Sequence, residues 1–209
     1  MTGAATPLAD RRYRGSSAVE RRAQRREQLI RAAIEVYGER GYRNATVKAV
    51  CEAAGLTERY FYESFLNSEA LLVASYRAVT GELLKTLEEI GEGAGGGQVE
   101  RVRAILAHYI DALRNDPRSA RLFLVEIAGV SAELDRVFAA SLEAFGLLLA
   151  RTLGAETRPG PERLLRTAAV GGIIHLALDW VARGYVEPQR EVVAAALRLA
   201  LLLRPEGSP

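Results

Sequence analysis

Along almost the whole chain the apolar residues recur three and four positions apart, and no stretch alternates apolar with polar at a period of two. The first pattern lays a single apolar stripe along a helix, and a strand needs the second. A chain patterned this way must bury its stripes by packing helix on helix. Caps and breakers divide it. Ser17 and Glu20 have the spacing of a capping box, so a helix starts near Ala18, with Leu29, Ile30, Ala33, Ile34 and Tyr37 on its buried face and Gly41 placed to end it. Thr46 caps a short helix through Val47–Ala54, and Gly55 interrupts it. Thr57 caps another from Glu58 to about Phe65, and Ser68 caps a long one carrying Leu71, Leu72, Tyr76, Val79, Leu83, Leu84 and Leu87. Gly91–Gly97 reads as a linker. Val99–Leu113 is then helical, and Asp116 with Pro117 opens a helix to about Ala128. Gly129 breaks it, and Ser131 restarts a helix to about Leu153. Thr157–Pro161 is a loop, Glu162–Arg183 a helix closed by Gly184, and Pro188 opens the last helix, to about Leu203. No repeat has a period of roughly 20–50 residues. The expected fold is all-α, with about nine helices.

The chain has 209 residues, 49% hydrophobic and 26% charged, which are ordinary globular values. Apolar runs such as Ala194–Leu203 are broken by charge and fall short of the roughly 18–20 residues of a membrane span. No apolar segment follows the N-terminus, so no secretory signal is expected. Cys51 is the single cysteine and His108 and His175 are the two histidines, which excludes an internal disulfide, a multi-cysteine zinc site and an all-histidine triad. A cytoplasmic protein without metal, cofactor or membrane partner is expected. The net charge of +2 hides an asymmetry: residues 1–80 carry 13 Lys+Arg against 9 Asp+Glu, and residues 81–209 carry 15 against 17. A basic front on a slightly acidic body suggests a polyanion partner for the front alone, or a basic leader in solvent. Residues 1–17 are read as a flexible basic arm.

Residues 46–65 read T-V-K-A-V-C-E-A-A-G-L-T-E-R-Y-F-Y-E-S-F. Two short helices meet at A-G-L-T. Ala53 and Ala54 are small enough for close packing, Gly55 supplies positive φ, and Leu56 plugs the angle between the helices. This is helix-turn-helix chemistry, whose second helix enters a major groove. The alternative is an ordinary helical hairpin with surface aromatics. Phe61 and Phe65, four apart, pack inward, which leaves Thr57, Arg59, Tyr60 and Tyr62 facing outward or sideways. Arg59 suits bidentate contact with guanine, worth roughly 1–3 kcal/mol of discrimination. Tyr60 suits a thymine methyl or a phosphate. Tyr62, Thr46 and Lys48 suit phosphates, which position without reading sequence.

Residues 22–72 resemble the DNA-binding domain of the tetracycline-repressor (TetR) family. The shared features are Y-G-E-R-G-Y, T-V-K-A-V, A-A-G-L-T, Y-F-Y-E-S-F and E-A-L-L, in that order and spacing. The resemblance implies a homodimeric, ligand-responsive transcriptional regulator, usually a repressor, with Thr46, Thr57, Arg59, Tyr60 and Tyr62 as DNA contacts. Its partners would be a pseudo-palindromic double-stranded operator, a second copy and an unidentified small-molecule effector. The chain departs from the family at Ser64, where histidine is frequent, and at Ser68, where a lysine usually faces a phosphate. The basic arm from Arg11 to Arg26 is the expected compensation. Cys51 stands where alanine is usual and is read as structural. The implied organisation is an arm (1–17), a helix-turn-helix domain (18–67) and a helical effector-binding and dimerisation domain (68–209).

In the body, the last two long helices carry small and apolar residues on more than one side, which suits a bundle with a second copy. Tyr109, Phe123, Glu126, Phe138, Phe145, His175 and Asp179 are the expected effector-lining residues. His175 and Asp179, four apart, would either orient a polar ligand or pair with each other. Few polar groups among many apolar ones imply a largely apolar effector. No nucleophile elbow, zinc-binding H-E-x-x-H, phosphate loop or dinucleotide fingerprint is present, so enzymatic activity is not expected. A helical adaptor that binds only protein is the competing reading.

Overall fold

A computed structural model describes residues 17–127, 129–155 and 160–205. Among these there are nine α-helices and no strands, as the periodicity requires. The expected arm lies outside the described residues up to Ser16, as does most of the Thr157–Pro161 loop.

The first three helices make a small reading head: α1 (Ala18–Arg40), α2 (Val47–Ala54) and α3 (Glu58–Ser64). At the start of α1, Ser17 Oγ accepts the Glu20 N–H while the Glu20 carboxylate accepts the Ser17 N–H, so the capping box is complete. Thr46 Oγ1 accepts the Ala49 N–H at 3.1 Å and starts α2. Gly55 ends it in the left-handed conformation, φ 65° and ψ 30°, where an L side chain would be strained. Thr57 precedes α3 but makes no side-chain capping bond, contrary to expectation. Ser68 does not cap the next helix, α4 (Ser68–Gly93). Asn67 does, its Oδ1 accepting the Ala70 N–H at 2.8 Å. Ser68 is already helical, and its hydroxyl lies 3.3 Å from that of Tyr42.

Helix α4 runs from head to body and continues through residues expected to be linker. Gly91 is buried against Ile105, where a Cβ would lie 2.9 Å from that residue's Cδ1. Tertiary packing there overrides the poor helix propensity of glycine. The body continues with α5 (Gln98–Asn115), α6 (Pro117–Arg121), α7 (Ala132–Thr152), α8 (Pro161–Ala182) and α9 (Gln189–Ala200). Helix α6 was expected to reach about Ala128. It is one turn long and passes into a π-helical turn, Leu122–Glu126.

Helix α1 packs on α4 and α6, α5 on α4 and α9, α7 on α4 and α8, and α8 on α9. Gly38 permits the α1–α6 contact: a Cβ there would stand 2.5 Å from Arg118 Cβ and 2.7 Å from its Cα. One face of α8 is buried through Ala169, Val170, Ile173, Ala177 and Trp180. Its other face, with Leu164, Ala168, Gly171 and His175, is exposed, beside Ala194 and Leu202 of the α9 segment. By length and composition α8 is apolar enough to cross a membrane, which corrects the expectation that no run reaches that length. One stripe of the helix is buried in the body, and its exposed outer face carries small residues.

Candidate nucleic-acid interface and effector cavity

Helix α3 is held from behind. Phe61 and Phe65 are buried, their rings 6.0 Å apart, and pin the helix to the head as their spacing requires. Three arginines of α1 brace it. Arg22 donates to the Glu63 carbonyl at 2.5 Å, Arg25 stacks over the Tyr60 ring at 4.4 Å, and Arg26 stacks over Phe65 at 4.8 Å. These three side chains are therefore engaged with α3, and the part of the basic arm up to Ser16 lies outside the described residues. The Ser68 hydroxyl faces Tyr42, and the Ser64 hydroxyl donates to the Tyr60 carbonyl.

Of the six expected DNA-contact residues, Thr46, Lys48, Thr57, Arg59 and Tyr62 are exposed on the α2–α3 unit, and Tyr60 is half-buried beneath Arg25. The Arg59 side chain is 84% exposed, and its Nε donates to Glu63 at 3.1 Å. Lys48 Nζ stands 3.9 Å from Glu52. Neither contact holds its cation firmly, because exposed pairs one helical turn apart are weak and screened. Glu63, which also faces Arg25 at 3.7 Å, was not singled out from the sequence. Its spacing of four from Arg59 was the available signal. Cys51 is buried, and burial, with Glu58 nearby, raises its thiol pKa. That supports the structural reading and works against thiolate chemistry.

In the body, Tyr109, Phe123 and Phe145 come together around a cavity of about 20 Å³, with Thr80, Leu142 and Ser141 among its other walls. Phe123 stacks on Tyr76 at 5.9 Å and 6°, and meets Tyr109 edge-on at 6.4 Å. Phe138 packs on Tyr76 at 6.4 Å, behind this group. The Tyr76 hydroxyl lies 2.5 Å from Ser141 Oγ, and burial raises its pKa to about 12. The Tyr109 hydroxyl is buried without a hydrogen-bond partner, and burial raises its pKa further. A larger cleft of about 540 Å³ opens between α1, α4, α5 and α6. Leu83 and Phe123 line both spaces.

Glu126 is not in the cavity. Its carboxylate accepts the Tyr42 N–H at 2.7 Å and pairs with Arg121 at 2.9 Å, tying the body to the connection between α1 and α2. The π turn explains the divergence. Residues three apart share a face of an α-helix, and the wider turn separates Phe123, aimed at the cavity, from Glu126, aimed at the head. His175 and Asp179 are not in the cavity either. Both are exposed on the outer face of α8, and Asp179 faces Arg183 at 3.8 Å. Among the described residues no cluster of His, Cys, Asp and Glu is arranged to hold a metal ion.

The sequence pattern of the family described as "Bacterial regulatory proteins, tetR family" matches residues 29–74, from the middle of α1 into α4. The fatty acid metabolism regulator protein of Bacillus subtilis is 26% identical over 161 residues, covering 74% of this chain and 82% of that protein. The HTH-type transcriptional regulator BetI of Stenotrophomonas maltophilia is 31% identical over 100 residues, covering 48% and 51%. The solved structure of the transcriptional regulator FadR from Bacillus subtilis, in complex with stearoyl-CoA, shares the fold with a TM-score of 0.69 at 23% identity. It covers 88% of this chain and 99% of that one.

Proposed function

We propose that this chain, whose residues 29–74 match the tetR family of bacterial regulatory proteins, is a member of that family and a homodimeric repressor, released from a pseudo-palindromic operator by a small, largely apolar effector. The observation that carries this reading is the braced α3, with Arg59 and Tyr62 exposed on a helix whose back is buried. Arg59 reads a guanine edge, and Thr57 and Tyr60 contact neighbouring groups. Thr46, Lys48 and Tyr62 hold phosphates. The exposed α8–α9 face joins two copies so that two α3 helices stand about 34–36 Å apart. Working on chromosomal DNA puts the protein in the bacterial cytoplasm, and we assign it no catalytic step.

The effector takes the place of the aromatic cavity of α4, α5 and α7, which opens from about 20 Å³ when Leu83 and Phe123, the residues it shares with the larger cleft, give way. Its apolar walls, and the likeness to a regulator solved with stearoyl-CoA, support an effector with a long apolar part. A ligand that displaces Phe123 moves the π turn, and with it the Glu126 carboxylate that grips the Tyr42 amide. The effector must favour the displaced state over the operator-bound one. The domain division at residues 67 and 68 is part of this reading, with α4 as the connecting rod.

Selection of bound duplexes from a random library tests the proposal. The expected product is a two-fold repeat whose binding falls steeply with salt as counterions return to the phosphates. A purified protein that enriches no duplex, or binds without salt dependence, is the adaptor and not the repressor.

A further inference from the structure

Among the buried polar groups of the body that lack a hydrogen-bond partner, Arg166 is the cationic one. Arg166 is 7% exposed, its Nη1 has no hydrogen-bond partner, and no ion pair to it exists among the described residues. The guanidinium lines a pocket of about 230 Å³ between α7 and α8, with Leu142, Glu143, Gly146, Arg163 and Thr167. Glu143 is not within ion-pair distance of either arginine. A guanidinium keeps its charge at any physiological pH, and a buried charge without a counter-charge is strongly destabilising. Gly146 keeps α7 close to α8: a Cβ there would stand 3.1 Å from Val170 Cγ2 and 3.7 Å from Arg166 Cβ. Leu142 lines this pocket and the aromatic cavity alike.

We propose that Arg166 anchors the anionic head of an amphiphilic effector, a carboxylate or a phosphate monoester, whose apolar tail passes Leu142 toward Tyr109 and Phe145 and displaces Phe123, because the closed cavity of about 20 Å³ has no room for it. Arg163 and Thr167 stand at the mouth. Planar, bidentate recognition of such anions is what the guanidinium fork does best. The inference rests on the reading of the aromatic cavity as the effector site, and adds the chemical class of the head group.

The test uses the full chain, wild type, Arg166→Met and Arg166→Lys, titrated calorimetrically with dodecanoate, dodecyl phosphate and dodecanol. At least one anion is expected to bind the wild type ten-fold or more tighter than the alcohol, and the preferred anion tells carboxylate from phosphate. Arg166→Met should abolish that preference while leaving dodecanol affinity within two-fold, and Arg166→Lys should restore part of it. Without ligand, Arg166→Met should melt at a higher temperature than the wild type, because it removes an uncompensated charge; a structural arginine would give a lower one. An unchanged preference in Arg166→Met overturns the proposal, and so does failure of all three amphiphiles to bind. If Arg166→Met dissociates the dimer, the counter-charge belongs to the second copy and the proposal also falls. Release of operator DNA by dodecanol at concentrations as low as either anion requires would leave the effector reading standing while the anion site failed.

Discussion

Two arginines show how differently the head and the body are built. Arg59 has a side chain 84% exposed, and Arg166 as a residue is 7% exposed. In the head the charge is held by water and lightly by Glu63, so it is free to exchange partners when a polyanion arrives. In the body the charge is largely buried, and its Nη1 has no hydrogen-bond partner. The same contrast holds for tyrosine: Tyr62 is exposed on α3, whereas the Tyr109 hydroxyl is buried without a partner. A reading surface tolerates unsaturated groups because solvent satisfies them until DNA does. A buried unsaturated group raises the free energy of the empty protein and lowers that of the filled one. The head leaves Arg25 Nε as its one such atom among the described residues, whereas the body leaves four.

The comparison can be broken in order of expected effect. Phe61→Ala removes the fully buried anchor of α3 and should lower stability by about 3–5 kcal/mol. Denaturant unfolding would measure it, and a loss below about 1 kcal/mol would mean that the head is not pinned as described. Glu126→Ala leaves the Tyr42 amide and Arg121 without their carboxylate, and should destabilise by about 1–3 kcal/mol. It should also weaken effector-driven release of DNA more than effector binding, seen by titrating operator complexes. Unchanged coupling would remove the π turn from the path between cavity and head.

Arg59→Ala should relax base preference at one operator position by about 1–3 kcal/mol, read by competition among singly substituted operators. Tyr109→Phe concerns alkaline stability. Burial raises the Tyr109 pKa in the folded state, so the unfolded chain loses its proton first. That contribution to stability is intact below about pH 10 and is lost as pH rises beyond it, by about 1.4 kcal/mol per pH unit for each such group. Removing the hydroxyl should flatten the slope by one group. An unaltered slope would show that Tyr109 is not held in its neutral form. Lys48→Ala should weaken all sequences alike and reduce the salt slope by about one phosphate contact. If it behaved like Arg59→Ala, the division into readers and anchors would be wrong.

Much of the head was legible before any coordinates. The Ser17–Glu20 box, the Thr46 cap, the Gly55 turn and the inward Phe61 and Phe65 follow from local chemistry and from helical spacing, and each is present. The misreadings are those that depend on distant chain. Ser68 was expected to cap α4, but Tyr42 lies against it and Asn67 caps instead. Glu126 was placed in the cavity because it stands in an apolar run, yet it reaches back to Tyr42, 84 residues away. Arg166 lies in register with Ala169, Val170 and Ile173 on the buried stripe of α8. That register was a usable signal for a buried charge.

By itself the sequence determined that the chain is helical, where most helices begin, and which residues share a face. Those follow from hydrogen bonds and torsions within a few residues. Only the tertiary structure decided which way each face turns. It placed His175 and Asp179 outside, Glu126 toward the head, and Arg166 between two helices without a partner. Helical spacing has no knowledge of the neighbour, and burial is a property of the neighbour.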